Sequence, residues 1–181
     1  MMRRGAFQNR PLAPANMAIL IQANRLMAGG KPGEAAGLFA QLAQTMEANQ
    51  HPRRAANFHA MAANAFADSH AGPAALQHAQ AAMQLFIHYQ MNQRTATFYA
   101  NITRKMNSQG MQAAAAQMEK EFGAPVQQVP AAPATAPTQH RGVLPTNCTK
   151  CGAPIHGIEA NWVDEITIEC EYCGVLIRAV H

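Results

Sequence analysis

The residues of this 181-residue chain best placed to do chemistry are its four cysteines, Cys148, Cys151, Cys170 and Cys173. They form two Cys-x2-Cys pairs, each followed by glycine (Gly152, Gly174), with eighteen residues between Cys151 and Cys170. Thiolates two residues apart grip one ion from a tight turn, and two such turns complete a tetrahedron. The x2, x18, x2 spacing lies in the range of zinc sites. Glycine accepts the positive φ of the turn and lets backbone N–H groups approach the sulfurs. Other uses of cysteine fit less well. No secretory segment is evident, which disfavours disulfides. A thioredoxin-like pair would be single and would sit at a helix start. An iron site with the same knuckles would be expected to carry more aromatic packing than Trp162 and Tyr172 provide. One structural Zn2+ is the expected cofactor. Four sulfur ligands leave no position for water or substrate, so no catalytic metal and no catalytic residues are expected. His140, His156 and His181 are spare ligands nearby, expected to be solvated side chains.

The sequence around the cysteines has the pattern of a small β fold. Trp162-Val163 opens an apolar stretch, Ile166 and Ile168 alternate with Thr167 and Glu169, and Val175-Leu176-Ile177 follow the second pair. That alternation predicts short antiparallel strands with one covered face. About forty residues bury too little surface to hold themselves together, so a metal would supply the missing stability. The paired Cys-x2-Cys-Gly knuckles around a β-hairpin resemble a zinc ribbon, over residues 146–181 only. Zinc ribbons serve many functions, so the resemblance implies a fold and a structural ion and no particular process.

The rest of the chain must position this module. Hydrophobic residues make up 49% of the chain but aromatics only 6%, and alanine is the largest part of the apolar content, with eleven methionines. Such a composition suits close-packed helices. Helices are predicted over 16–28, 33–49, 53–69, 73–90, 93–108 and 110–122. They are separated by Gly29-Gly30 with Pro32, by Pro52, by Gly72-Pro73, at Asn92 and at Gly110. Short loops imply antiparallel hairpins. Gly33-Glu34-Ala35-Ala36 returns as Gly72-Pro73-Ala74-Ala75 and more weakly as Gly110-Met111-Gln112-Ala113, a period near forty. Ala23, Leu26, Ala35, Phe39 and Leu42, and then Ala63, Phe66, Ala75, Ala79 and Ala82, make this stretch resemble a tetratricopeptide-like array. The period is longer than that family's and its tryptophan is missing, so a plain helical bundle stays open as the alternative.

The expected fold class is therefore α plus small β. An arm (1–15), expected to fray although Phe7 and Leu12 offer it an anchor on a partner, precedes about six helices in TPR-like antiparallel hairpins (16–122), a Pro/Ala-rich linker (123–145) and a zinc-ribbon β domain (146–181). In the array that the sequence resembles, the first helix of each pair lines a concave groove. On those helices lie Asn24 and Arg25, then Arg54, Asn57 and Asn64, then Arg94, Asn101, Arg104 and Lys105; of these Asn24, Asn57, Asn64, Arg94, Asn101, Arg104 and Lys105 are the candidate binding residues for an extended acidic segment or a free C-terminus. His59, His70, His78 and His88 are scattered and expected to be ordinary surface or partly buried histidines. The methionines are expected to fill the core.

Charge is unevenly spread. Residues 1–140 carry eleven Lys/Arg against five Asp/Glu, a net of +6, while residues 141–181 carry three against five, a net of −2. This predicts either docking of the two parts on each other or separate partners. No phosphate loop, nucleophile elbow or carboxylate pair stands out, and Ser69 and Ser108 are the only serines. No apolar run is long enough for a membrane span. The expectation is a non-enzymatic cytoplasmic adaptor with protein partners and no membrane association; the sequence leaves its oligomeric state open. The alternative is a nucleic-acid-associated factor, against which Glu159, Asp164, Glu165, Glu169 and Glu171 count by repelling phosphate.

Overall fold

A computed structural model describes residues 11–127, 142–155 and 160–180. The described residues form six helices followed by a small antiparallel sheet: α1 Pro14–Ala28, α2 Pro32–Ala48, α3 Pro52–Asp68, α4 Gly72–His88, α5 Asn92–Ser108, α6 Gln112–Gln127, β1 Asn161–Trp162, β2 Thr167–Glu169 and β3 Leu176–Arg178. The predicted helices recur within about two residues, except that α6 begins two residues later and runs on to Gln127, past Gly123 and with Pro125 inside it. The stretch expected to be a linker thus begins as helix. Residues 128–141, most of that linker, lie outside the described residues, as does Phe7.

One loop design is used five times. Each connection has three residues, and the middle one has positive φ: Gly30, Gln50, His70, Gln90 and Gly110. The third residue donates its N–H to a carbonyl five residues back, as in Lys31 to Leu26, His51 to Met46, Ala71 to Phe66, Met91 to Phe86 and Met111 to Met106. This is the Schellman closure, which satisfies carbonyls that a helix end would otherwise leave unpaired. Proline at the first or second position of α1 to α4 then starts the next helix without a side-chain cap.

Because helix and loop lengths recur, α2 to α5 start at 32, 52, 72 and 92, one helix every twenty residues. The two-helix unit is forty residues, not the 39 and 38 that the glycine matches give. Gly33 lies inside α2 whereas Gly110 is a loop residue, so those glycines are not equivalent. The forty-residue register instead aligns buried residues: Ala35 with Ala75 and Ala115, Phe58 with Phe98, and Ala62 with Ile102.

Each helix packs on its sequence neighbours, and α3 and α4 also meet α5 and α6 respectively. The three-residue turns reverse direction between them. Alanine makes the packing close. Ala23, Ala35, Ala36, Ala55, Ala63, Ala75, Ala79 and Ala82 have no solvent exposure, and short side chains at crossings let helix axes approach. The methionines expected in the core divide: Met46, Met83, Met106 and Met118 are fully buried, whereas Met17, Met27 and Met61 lie at its partly buried edge.

The sheet runs β1-β2-β3, all antiparallel, with Ile168 paired to Ile177 and both buried. Two cores result. One joins α3 to α6. The other joins α1 to α3 and continues without a break into the cysteines, Ile168, Tyr172 and Ile177. The β module is therefore docked on the helices, the first of the two arrangements that the charge asymmetry predicts.

Candidate metal centre

The two knuckles have the same backbone. Gly152 donates its N–H to the Cys148 carbonyl (2.8 Å) and Gly174 to the Cys170 carbonyl (2.7 Å). Cys148 donates to Ala153 (2.8 Å) and Cys170 to Val175 (2.9 Å). Both glycines sit at positive φ, 78° and 75°, where a side chain would be strained. The N–H groups of Cys151 and Cys173 are thereby turned onto the sulfurs of Cys148 and Cys170, and that of Val175 onto Cys173. The glycines' own N–H groups bond carbonyls, so their contribution is the turn that aims the neighbouring donors. The first knuckle is closed by a bridge between Asn147 and Pro154, and the second spans the β2–β3 connection.

The four sulfurs converge within 4.8 Å of one another. Cys148 to Cys173 is 3.7 Å and Cys151 to Cys170 is 3.9 Å, far beyond a disulfide bond. A metal with four sulfur bonds of about 2.3 Å requires tetrahedral edges of about 3.8 Å. The thiols present therefore fit a metal ion, and all four cysteines are buried. Hydrogen bonding with Cys151 pulls the Cys148 thiol far below its ordinary value, while hydrogen bonding with Cys148 pushes Cys151 and Cys173 far above theirs. Four adjacent buried thiolates repel one another and ionise together only around a cation.

The helices supply what surrounds the cluster. From α1, the Asn24 side-chain amide donates to the Cys151 carbonyl (2.8 Å), and its Cβ lies 3.4 Å from where a Cβ on Gly152 would be. Just before α1, Leu12 is buried and its N–H donates to the Cys173 carbonyl (3.0 Å). From α3, Phe58 packs on Tyr172, ring centroids 6.1 Å apart. Arg54 sits 3.8 Å from Glu169, the glutamate buried and the arginine side chain 12% exposed. Burial lowers the Arg54 guanidinium from its ordinary value, and Glu169, Cys173 and Cys170 oppose that shift. From α5, Arg94 bonds Asn57 Oδ1 at 2.5 Å and pairs with Glu171. Glu169 stands opposite the buried Ile168 along β2 yet is itself 5% exposed, because α3 covers it.

The candidate binding residues separate into groups. Asn24 and Arg94 contact the β module, and Asn57 reaches it through Arg94. Asn64 bonds its own helix at the Ala60 carbonyl, and Lys105 pairs with Asp68 at 2.9 Å. Asn101 and Arg104 are exposed. Arg54, placed among the polar residues of the first helices, and Leu12, offered as an anchor of the arm on a partner, instead meet the ribbon of the same chain, which sequence reasoning did not foresee. His140, His156 and His181 lie outside the described residues.

The scattered histidines are corrected in one respect. His59 and His78 meet Nδ1 to Nδ1 at 2.8 Å, His59 Nε2 reaches Glu47 at 3.1 Å, and His78 stacks on Phe66. Their positions on α3 and α4 are nineteen residues apart, and only the twenty-residue helix spacing brings them level. His59 is buried, and burial and His59 hold the His78 imidazole below its ordinary value, with Glu47 opposing.

The fold and site thus define an all-α array carrying a small β module built on a four-cysteine, metal-binding type of cluster. No protein-family model, curated protein or solved structure matches the chain. No helix among the described residues is long and apolar enough to cross a membrane.

Proposed function

We propose that this chain is a non-enzymatic adaptor, a tetratricopeptide-like helical array that recruits protein partners and carries a zinc ribbon as a structural module. The observation that carries this reading is the site's closure. Four buried thiols at tetrahedral spacing saturate a zinc ion and leave it no position for a substrate. Zinc is preferred because an all-thiolate tetrahedral set suits it and a redox role is not needed. The forty-residue two-helix unit supports the repeat reading, since stacked hairpins present extended surfaces for macromolecules. The exposed Asn101 and Arg104 on α5 are the candidate binding residues left over once Asn24, Asn57 and Arg94 serve the ribbon and Asn64 and Lys105 bond Ala60 and Asp68 within the helices.

The test has two parts. The purified full chain should bind one equivalent of zinc, and cobalt in its place should give the visible bands of a tetrahedral tetrathiolate. The intact chain as bait, compared with an Asn101→Ala/Arg104→Ala variant, should lose its protein partner in the variant. Capture of nucleic acid with a steep salt dependence would instead favour the alternative factor. That alternative is weakened because Arg54 and Arg94, the most inward cations, are already matched to ribbon carboxylates.

A further inference from the structure

Beyond its role as a fold, the ribbon presents a definite chemical pattern to the helices. Two carboxylates two residues apart, Glu169 and Glu171, meet Arg54 of α3 and Arg94 of α5, while Tyr172 packs on Phe58. Both knuckles take part, Cys151 through its carbonyl to Asn24 and Cys173 through its carbonyl to Leu12. The parts of the ribbon that touch the helices are therefore the parts that hold the cysteines. A knuckle that loses its metal loses the geometry that presents those carbonyls and glutamates together.

We propose that the inner face of α1, α3 and α5 is a docking surface for an acidic extended segment of Glu-x-Glu pattern, and that the chain's own ribbon occupies it only while metal is bound at the four cysteines. Metal binding and docking are then one coupled equilibrium. Whatever factor the metal contributes to docking, docking returns to metal affinity. Without metal the ribbon releases, and the Asn24, Arg54, Phe58 and Arg94 surface takes an acidic peptide from another molecule. This rests on the reading of the cysteines as a metal centre, which zinc stoichiometry tests separately.

The experiment uses the full chain under reducing conditions, loaded with one equivalent of zinc or stripped of it, with helicity followed by circular dichroism. The Leu12 amide should exchange at least tenfold faster in the stripped chain. A labelled Thr-Ile-Glu-Ser-Glu-Tyr-Ser peptide, residues 167–173 with serine for cysteine, should bind the stripped chain at least tenfold tighter than the loaded one. Should the stripped chain lose its helices, an Arg54→Gln/Arg94→Gln variant of the loaded chain gives the answer by reciprocity. Its zinc affinity in chelator competition should fall by about 10- to 100-fold, as for other groups that support metal ligands. Leu12 exchange within twofold in both states, equal peptide binding in both states, or unchanged zinc affinity in the variant overturns the proposal. A chain that binds zinc yet keeps Leu12 protected without it overturns this inference alone; a chain that binds no metal overturns the metal reading with it.

Discussion

Removing Arg94 should separate the β module from the helices at a cost well above that of a surface ion pair. Its side chain is 13% exposed and that of Glu171 21%, so both charges are largely out of water. Arg94 also satisfies Asn57 Oδ1, on a residue only 4% exposed. Arg94→Ala therefore leaves a mostly buried carboxylate without this partner and removes a donor from a buried amide. Breaking a buried pair costs about 3–5 kcal/mol, and an unsatisfied buried polar group about 1–3 kcal/mol. Relaxation and water entry through the partly open side of the pair reduce the sum, so a loss of about 3 kcal/mol is expected. The single change mixes these effects, and a double-mutant cycle with Glu171→Ala separates them. Urea unfolding of the zinc-loaded wild type, both single variants and the double variant should give a coupling of about 2 kcal/mol. A coupling below about 0.5 kcal/mol, the range of exposed pairs, would refute the view that this contact clamps the ribbon to α5.

The His59–His78 pair makes stability depend on pH. His78 titrates below its ordinary value in the folded state, so its contribution is complete above about pH 6.5, falls as pH drops through the folded value, and levels off beneath it. Below that point a charged His78 carries its proton against the His59 ring, 2.8 Å away Nδ1 to Nδ1, with Glu47 offsetting part of the charge. The urea midpoint should therefore fall between pH 7.5 and 5, and His78→Gln should flatten that fall; an identical pH profile in the variant would exclude the pair as its source. His70 sits at φ 58°, where Gly30 and Gly110 occupy the equivalent loops. His70→Gly should raise stability by about 0.5 kcal/mol in thermal unfolding, the αL strain relieved outweighing the added chain entropy. Ala75→Leu, at a helix crossing with no exposure, should cost about 1–3 kcal/mol by overpacking, measured in the same way. Cys170→Ser should abolish stoichiometric zinc retention in a chelator assay.

The helices and the cysteine cluster were legible because local rules determine them. Gly and Pro breaks, alanine content and Cys-x2-Cys-Gly spacing each act within a few residues, and the six helices and the converging sulfurs follow from them. The exact repeat was less legible. Two loops place glycine at the positive-φ position, but three use Gln50, His70 and Gln90, whose strain is carried by the Schellman hydrogen bonds and leaves no composition signal. Matching glycines therefore gave 39 and 38, where the backbone closes at forty.

What the sequence hid most completely was the role of individual polar residues, and the reason is physical. Asn24, Asn57, Asn64, Arg94, Asn101, Arg104 and Lys105 have similar chemistry and all fall on the first helices of the hairpins, so helical spacing could not rank them. Their fates depend on what stands opposite: a carbonyl at Cys151, a carboxylate at Glu171, or the residue's own helix at Ala60. Those partners are 127, 77 and four residues away. Charge was the one long-range signal available. An excess of cations in the helical part and of anions in the ribbon matches the pairing of Arg54 with Glu169 and Arg94 with Glu171. It identified complementary surfaces without saying which arginine meets which glutamate, because Coulomb attraction specifies sign and distance while packing around Phe58 and Tyr172 specifies register. The same division explains Glu169. Alternation along β2 sends it outward, and only a helix carrying Arg54 across that face makes burial of a carboxylate tolerable.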